Sequence, residues 1–190
     1  MPERRRPRIY LAGPEVFLPD ALAVGAEKCR LAAAHGFEGL FPLDASLDLE
    51  GLEKADAARR IALANEALMR SADVLIANLT PFRGASMDAG TAFEVGFMRA
   101  LGKPTLGYTN AGGDYAARAR IVRQALPLAY DCDRADLEVE DFGLAENLMI
   151  AIAVHESGAP IVGRDVAGRD RMADLTGFVE CLRLLQKLLG

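Results

Sequence analysis

At 190 residues, with 22 Lys and Arg against 27 Asp and Glu and a formal net charge of −5, the chain is long enough to bury a core. It is too acidic to suggest a nucleic acid polymer or an anionic membrane as partner. Three widely spaced cysteines (Cys29, Cys132, Cys181) with no CxxC, and two isolated histidines (His35, His155), argue for a reduced, cytoplasmic setting and against a disulfide framework or a metal site.

The basic run RRRPR, Arg4 to Arg8, reads as a solvated end, and Ile9 to Ala12 is too short to be the core of a signal peptide before Gly13 and Pro14 interrupt it. No stretch is apolar for long enough to span a bilayer. Arg8 to Ala12 (RIYLA) is the first strand, and Asp20 to His35 carries a helical pattern. Gly39 to Leu43 is a second, shorter strand, leading through Asp44, Ser46 and Asp48 into a polar loop that could act as a lid. Glu53 to Ser71 is rich in helix formers, with an inward stripe of Ile61, Ala64 and Leu68 and with Asn65 on its edge. An amide there must find partners, either nearby backbone or something in a site.

Asp73 to Leu79 (DVLIANL) is continuous and apolar, as a central parallel strand covered on both faces must be. A loop from Thr80 to Ser86 precedes a helix over Ser86 to Leu101, and Lys103 to Tyr108 is the next strand. Strand, helix and strand in alternation predict an α/β sheet with right-handed crossovers. Asp114 to Ala125 reads as helix, Pro127 to Cys132 as a last strand, and Leu144 to His155 as helix. After a Gly-rich, charged stretch from Ser157 to Met172, Ala173 to Leu189 forms an amphipathic helix that packs on its own domain or on a partner. One domain over residues 1–190 is expected, with a core of about 8–156. No GxGxxG and no GxxxxGK[ST] follows a strand, so neither a dinucleotide nor a P-loop nucleotide is implied.

The helix from Ser86 to Leu101 holds the residue around which the chain is organised. Met87, Ala92, Phe93, Val95, Phe97, Met98 and Leu101 leave little of it for water, yet Glu94 stands in the middle. Helical side chains lean toward the N-terminus, so Glu94 reaches over Gly90 and Thr91, and Asp88 has the character of an N-cap. The field at that helix end is expected to favour an ionised glutamate, the form a nucleophile requires. The plain alternative is an exposed glutamate paired with Arg99 or Lys103. An ionised Glu, a second acid six positions earlier and a phenol from the first strand suit glycosyl transfer: a carboxylate stabilises an oxocarbenium-like state and captures it covalently, with no metal and no cofactor.

The segments IYLAGPEVF, DVLIANLTPFRG, DAGTAFEVGFMRALGKP and FGLAENLMI together resemble the nucleoside 2-deoxyribosyltransferase family from about Arg8 to His155. The resemblance implies a flavodoxin-like (Rossmann-like) three-layer α/β sandwich with a mostly parallel sheet of about five strands. It also implies exchange of the base on a 2′-deoxyribonucleoside through a deoxyribosyl enzyme. By motif position it makes Glu94 the nucleophile at C1′, with Tyr10 orienting its carboxylate and Asp88 contacting the base and moving its proton. Asn65, Phe17, Gly13, Gly90 and Asn147 form the substrate-binding set, with Asn147 reaching the sugar 5′-hydroxyl from a neighbouring subunit of a homo-oligomer.

One departure stands out. Where well-known members carry a second catalytic Asp, this chain has Asn65, which can hydrogen-bond a base edge but cannot act as an acid. Two other outcomes fit the same pocket: an N-glycoside hydrolase, and a non-catalytic nucleoside sensor. GPEVFLPD after the first strand, where the monophosphate hydrolases of this resemblance have a Ser-rich, Arg-containing cradle, favours an uncharged 5′-hydroxyl.

Overall fold

The structure, a computed structural model, describes residues 5–42, 47–125 and 137–190, and of 169 and 170 only the backbone. Five strands, β1 (Arg8–Ala12), β2 (Glu38–Leu40), β3 (Val74–Asn78), β4 (Thr105–Thr109) and β5 (Val162–Gly163), form one sheet in the order β2-β1-β3-β4-β5. Every pairing is parallel. The helices α1 (Ala21–Ala34), α2 (Lys54–Ser71), α3 (Ala89–Ala100), α4 (Tyr115–Ala125), α5 (Leu148–His155) and α6 (Thr176–Leu189) connect and cover the strands.

The period of two along β1 divides the core. Ile9 and Leu11 point into one apolar cluster with Phe37, Phe41, Phe178 and Leu182, where α1 and α6 pack. Tyr10 and Ala12 point into the other with Met69, Val95, Met98 and Val154, where α2, α3 and α5 pack. All five residues of β3 are buried, as two-sided coverage requires. This is the flavodoxin-like α/β sandwich the sequence implied. The order reverses between β1 and β3, which opens a crevice beyond their carboxyl ends.

Two expectations change. The fifth strand is Val162–Gly163, inside the stretch read as loop: a two-residue strand among glycines and charges has no periodicity to detect. The strand expected over Pro127 to Cys132 lies outside the described residues, as does part of the polar loop expected at Asp44 to Asp48. The stripe on α2 faces the core only in its second half, where Leu68 packs against the cluster that holds Tyr10. Met69 is the buried residue of that helix, while Ile61 is 40% exposed, because the first half of α2 overhangs the crevice instead of the sheet.

Candidate active site

The crevice holds a cavity of about 290 Å³ lined by Gly13, Val16, Phe17, Pro42, Ile61, Asn65, Asp88, Gly90, Thr91 and Glu94. Each element delivers its part for a local reason. β1 ends at Gly13, and the 3₁₀ turn Pro14–Phe17 that follows carries Val16 and Phe17 along the wall. The turn out of β3 leads to Asp88, which has extended backbone and caps α3: its Oδ2 accepts from the Thr91 amide at 3.2 Å. A Cβ on Gly90 would stand 2.9 Å from Asp88 Oδ2, so glycine there leaves that carboxylate its place at the rim.

Glu94 lies one turn into α3. Tyr10, fully buried on β1 and not itself among the lining residues, donates its hydroxyl to Glu94 Oε1 at 2.6 Å, joining the central sheet to the helix. The helix-end field does not govern the carboxyl as expected. Burial pushes its pKa up to about 7, the Tyr10 hydrogen bond pulls the other way, and the nearby Asp88 charge adds to the rise. Tyr10 itself is raised, by burial first and then by the adjacent carboxylate, and serves as a donor that keeps its proton. With Oε1 held, Oε2 has no hydrogen bond among the described residues. One carboxylate oxygen fixed and the other unengaged is an arrangement that can deliver a nucleophile along a set direction.

Asn65 lines the same cavity, one turn of α2 beyond Ile61, and its amide bonds no described residue. Phe17 sits at the rim, 52% exposed, stacked on Phe82 at 5.2 Å between centroids, and the Arg83 guanidinium rides over both rings. Phe17 is therefore a wall and not plain core. Asn147 is not brought to this cavity. It caps α5, its Oδ1 accepting from the Met149 amide at 3.1 Å and its Nδ2 donating to Glu140 at 2.9 Å. Among the described residues no cluster of His, Cys, Asp and Glu could hold a metal. No described helix is long and apolar enough to cross a membrane.

Sequence reasoning missed Val16, Pro42, Ile61 and Thr91 as lining residues, and a wholly buried ion pair beside Gly13, Glu15 with Lys28. The apolar liners carry no chemical signature. The pair is thirteen residues apart on two elements and carries no motif. A larger hollow of about 400 Å³ lies between the 82–87 segment and α4 and contains none of the predicted site residues.

The sequence profile described as nucleoside 2-deoxyribosyltransferase matches residues 9–149. An uncharacterized protein of Schizosaccharomyces pombe, C191.05c, is 38% identical over 123 residues, which are 62% of this chain and 57% of that protein; the chain thus spans little more than half of that relative's length. Among solved structures, a 2-desoxiribosyltransferase from Leishmania mexicana is 28% identical with a TM-score of 0.58, over 93% of this chain and 97% of the other. A 2-deoxyribosyltransferase from Bacillus psychrosaccharolyticus, 19% identical with a TM-score of 0.51, covers 77% and 82% and shares the fold.

Proposed function

Because this chain belongs to the nucleoside 2-deoxyribosyltransferase family, we propose that it exchanges the nucleobase of 2′-deoxyribonucleosides through a covalent deoxyribosyl-Glu94 intermediate. The observation that carries this reading is the 2.6 Å hydrogen bond from the buried Tyr10 to Glu94, a carboxylate that lines one cavity with Asp88. Binding alone needs no desolvated carboxylate held by a buried phenol beside the ligand.

In the first half-reaction ionised Glu94 attacks C1′ through its unengaged oxygen as the C1′–N bond breaks. The base departs with the bonding electrons and takes a proton by way of Asp88 or water. In the second, a ring nitrogen of an incoming base attacks C1′, the ester bond to Glu94 breaks, and the carboxylate is regenerated while the new base sheds its proton. Tyr10 keeps Oε1 aligned throughout. Asn65, an amide, contacts the base without carrying a proton, so proton movement falls to Asp88 and solvent. Phe17 and Gly13 form the wall, and Gly90 leaves the Asp88 carboxylate its place.

We further propose a homo-oligomer in which Asn147 serves a neighbour's sugar. Its absence from the lining of its own cavity is consistent with this, as are Phe93, Met149 and Ile152, large apolar side chains exposed on the adjoining helices α3 and α5.

Incubation of 2′-deoxyinosine or thymidine with and without adenine or cytosine, followed by chromatography, tests the reading. New deoxynucleoside only with acceptor present supports transfer. Free base without acceptor identifies a hydrolase, and no reaction refutes both. Glu94→Ala is expected to remove activity by several orders of magnitude, the scale of losing a covalent route. Retained activity would show that Glu94 is not the nucleophile.

A further inference from the structure

Behind the cavity wall lies a charge cluster that the proposed chemistry does not use. Glu15 and Lys28 are both wholly buried, with Lys28 Nζ 2.8 Å from Glu15 Oε1. The buried Tyr108 donates its hydroxyl to the same oxygen at 2.9 Å. The ammonium is roofed by aromatic rings, 5.2 Å from the Phe178 centroid and 5.9 Å from that of Tyr108. Three elements meet at one carboxylate: the Pro14–Phe17 turn, α1 and β4. Phe178 brings α6 as well, so the segment beyond residue 157 closes the cluster off from water.

A buried ion pair is a poor way to gain stability, because desolvation consumes most of the attraction and apolar residues of the same shape hold a core at least as well. Such a pair does hold one geometry in place of several. Here that geometry belongs to the turn. It has no side-chain cap, and Glu15, its one hydrogen-bonding side chain, points inward. Glu15 Oε2 occupies the space that a Cβ on residue 13 would need, so the carboxylate lies directly against Gly13, which lines the cavity. Both charges also act on Glu94, in opposite senses.

We propose that Glu15, Lys28 and Tyr108 are positioning residues for this site: anchored to α1 and β4, the Glu15 carboxylate holds the Gly13–Phe17 turn so that Gly13 and Phe17 meet the substrate in a fixed place. The kinetic consequence rests on the transferase reading; the positional one does not.

The decisive variant is Glu15→Met/Lys28→Met/Tyr108→Phe, which makes the cluster apolar at nearly constant shape. It is expected to melt at or near the wild-type temperature. Its KM for the donor nucleoside is expected to rise about tenfold with kcat within about threefold, as for a binding wall that has lost its setting. In protein labelled with 4-fluorophenylalanine, the Phe17 resonance, assigned with Phe17→Leu, should be narrow in the wild type and broadened or displaced in the triple variant. Glu15→Gln keeps both the shape and the acceptor oxygen. It should retain the wild-type Phe17 signal even where it lowers the melting temperature, because Lys28 loses its counter-charge. A well-folded triple variant with unchanged KM and an unchanged Phe17 signal would overturn the proposal.

If the triple variant does not fold, Tyr108→Phe alone decides. A displaced Phe17 signal is expected, and an unchanged one overturns the idea. If the wild type turns over no deoxynucleoside, the transferase reading fails and the fluorine signal alone judges this one.

Discussion

Replacing Tyr10 by Phe removes one hydroxyl from a fully buried site and leaves the ring to fill the same space, so its effect isolates the hydrogen bond to Glu94. Glu94 titrates near 7 because burial raises it more than Tyr10 lowers it. Hydrogen bonds to charged groups are worth about 1.5–3 kcal/mol, and cavity water will replace part of that, so the loss is taken at about 1.4 kcal/mol, roughly one pH unit. The direction is upward, since the hydroxyl favours the ionised form. A nucleophile must be ionised, so wild-type kcat/KM should fall as pH drops below about 7, and in Tyr10→Phe the same limb should lie roughly one pH unit higher. At pH 7 the ionised fraction then drops from about a half to about a tenth, and kcat/KM with it by about fivefold, with most of the loss recovered by about pH 9. The assay is a kcat/KM profile for donor consumption at saturating acceptor base. A loss equal at every pH would refute the electrostatic argument, and a wild-type limb near 4.5 would show that burial does not raise Glu94 at all.

Three further outcomes follow from the same geometry. A carboxyl whose folded pKa is raised stabilises the fold fully below its unfolded value and loses that contribution as pH rises through the folded one. Glu94→Gln should therefore gain on the wild type between about pH 4.5 and 8 by at most about 3 kcal/mol, read by urea unfolding at both ends, and a pH-independent difference would refute it. Asp88→Asn keeps the cap on α3 and should melt close to the wild type while base departure slows, whereas Asp88→Ala should also lose about 1 kcal/mol of stability. Equal melting of the two would mean the cap is idle. Asn147→Ala should cost about 1 kcal/mol as a lost cap on α5 and weaken donor binding with the oligomer intact. Unchanged kinetics would remove Asn147 from the proposed site.

The strands β1, β3 and β4 and their helices were legible because two-sided burial writes a continuous apolar run and amphipathic helices write a 3.6-residue period. Glu94, Asp88 and Gly90 were legible for a related reason: cap, glycine and acid lie within one helical turn or two, where spacing along the chain is spacing in space. β5 was not, since two residues pair through backbone alone and leave no side-chain pattern.

What the sequence determined by itself is which face the central strands β1 and β3 turn inward and what chemistry α3 carries, because those depend on neighbours a few positions away. The tertiary structure decided the rest. It set Tyr10, 84 residues from Glu94, at hydrogen-bonding distance and raised the carboxyl by burial against the opposing pull of that bond. It placed Ile61 over a crevice in place of the core. It also gathered Glu15, Lys28 and Tyr108 from three elements into one dry cluster. The physical reason is the same throughout: desolvation and long-range pairing belong to the packed interior, and no local pattern in the chain encodes how deeply a group will be buried or what charge will face it.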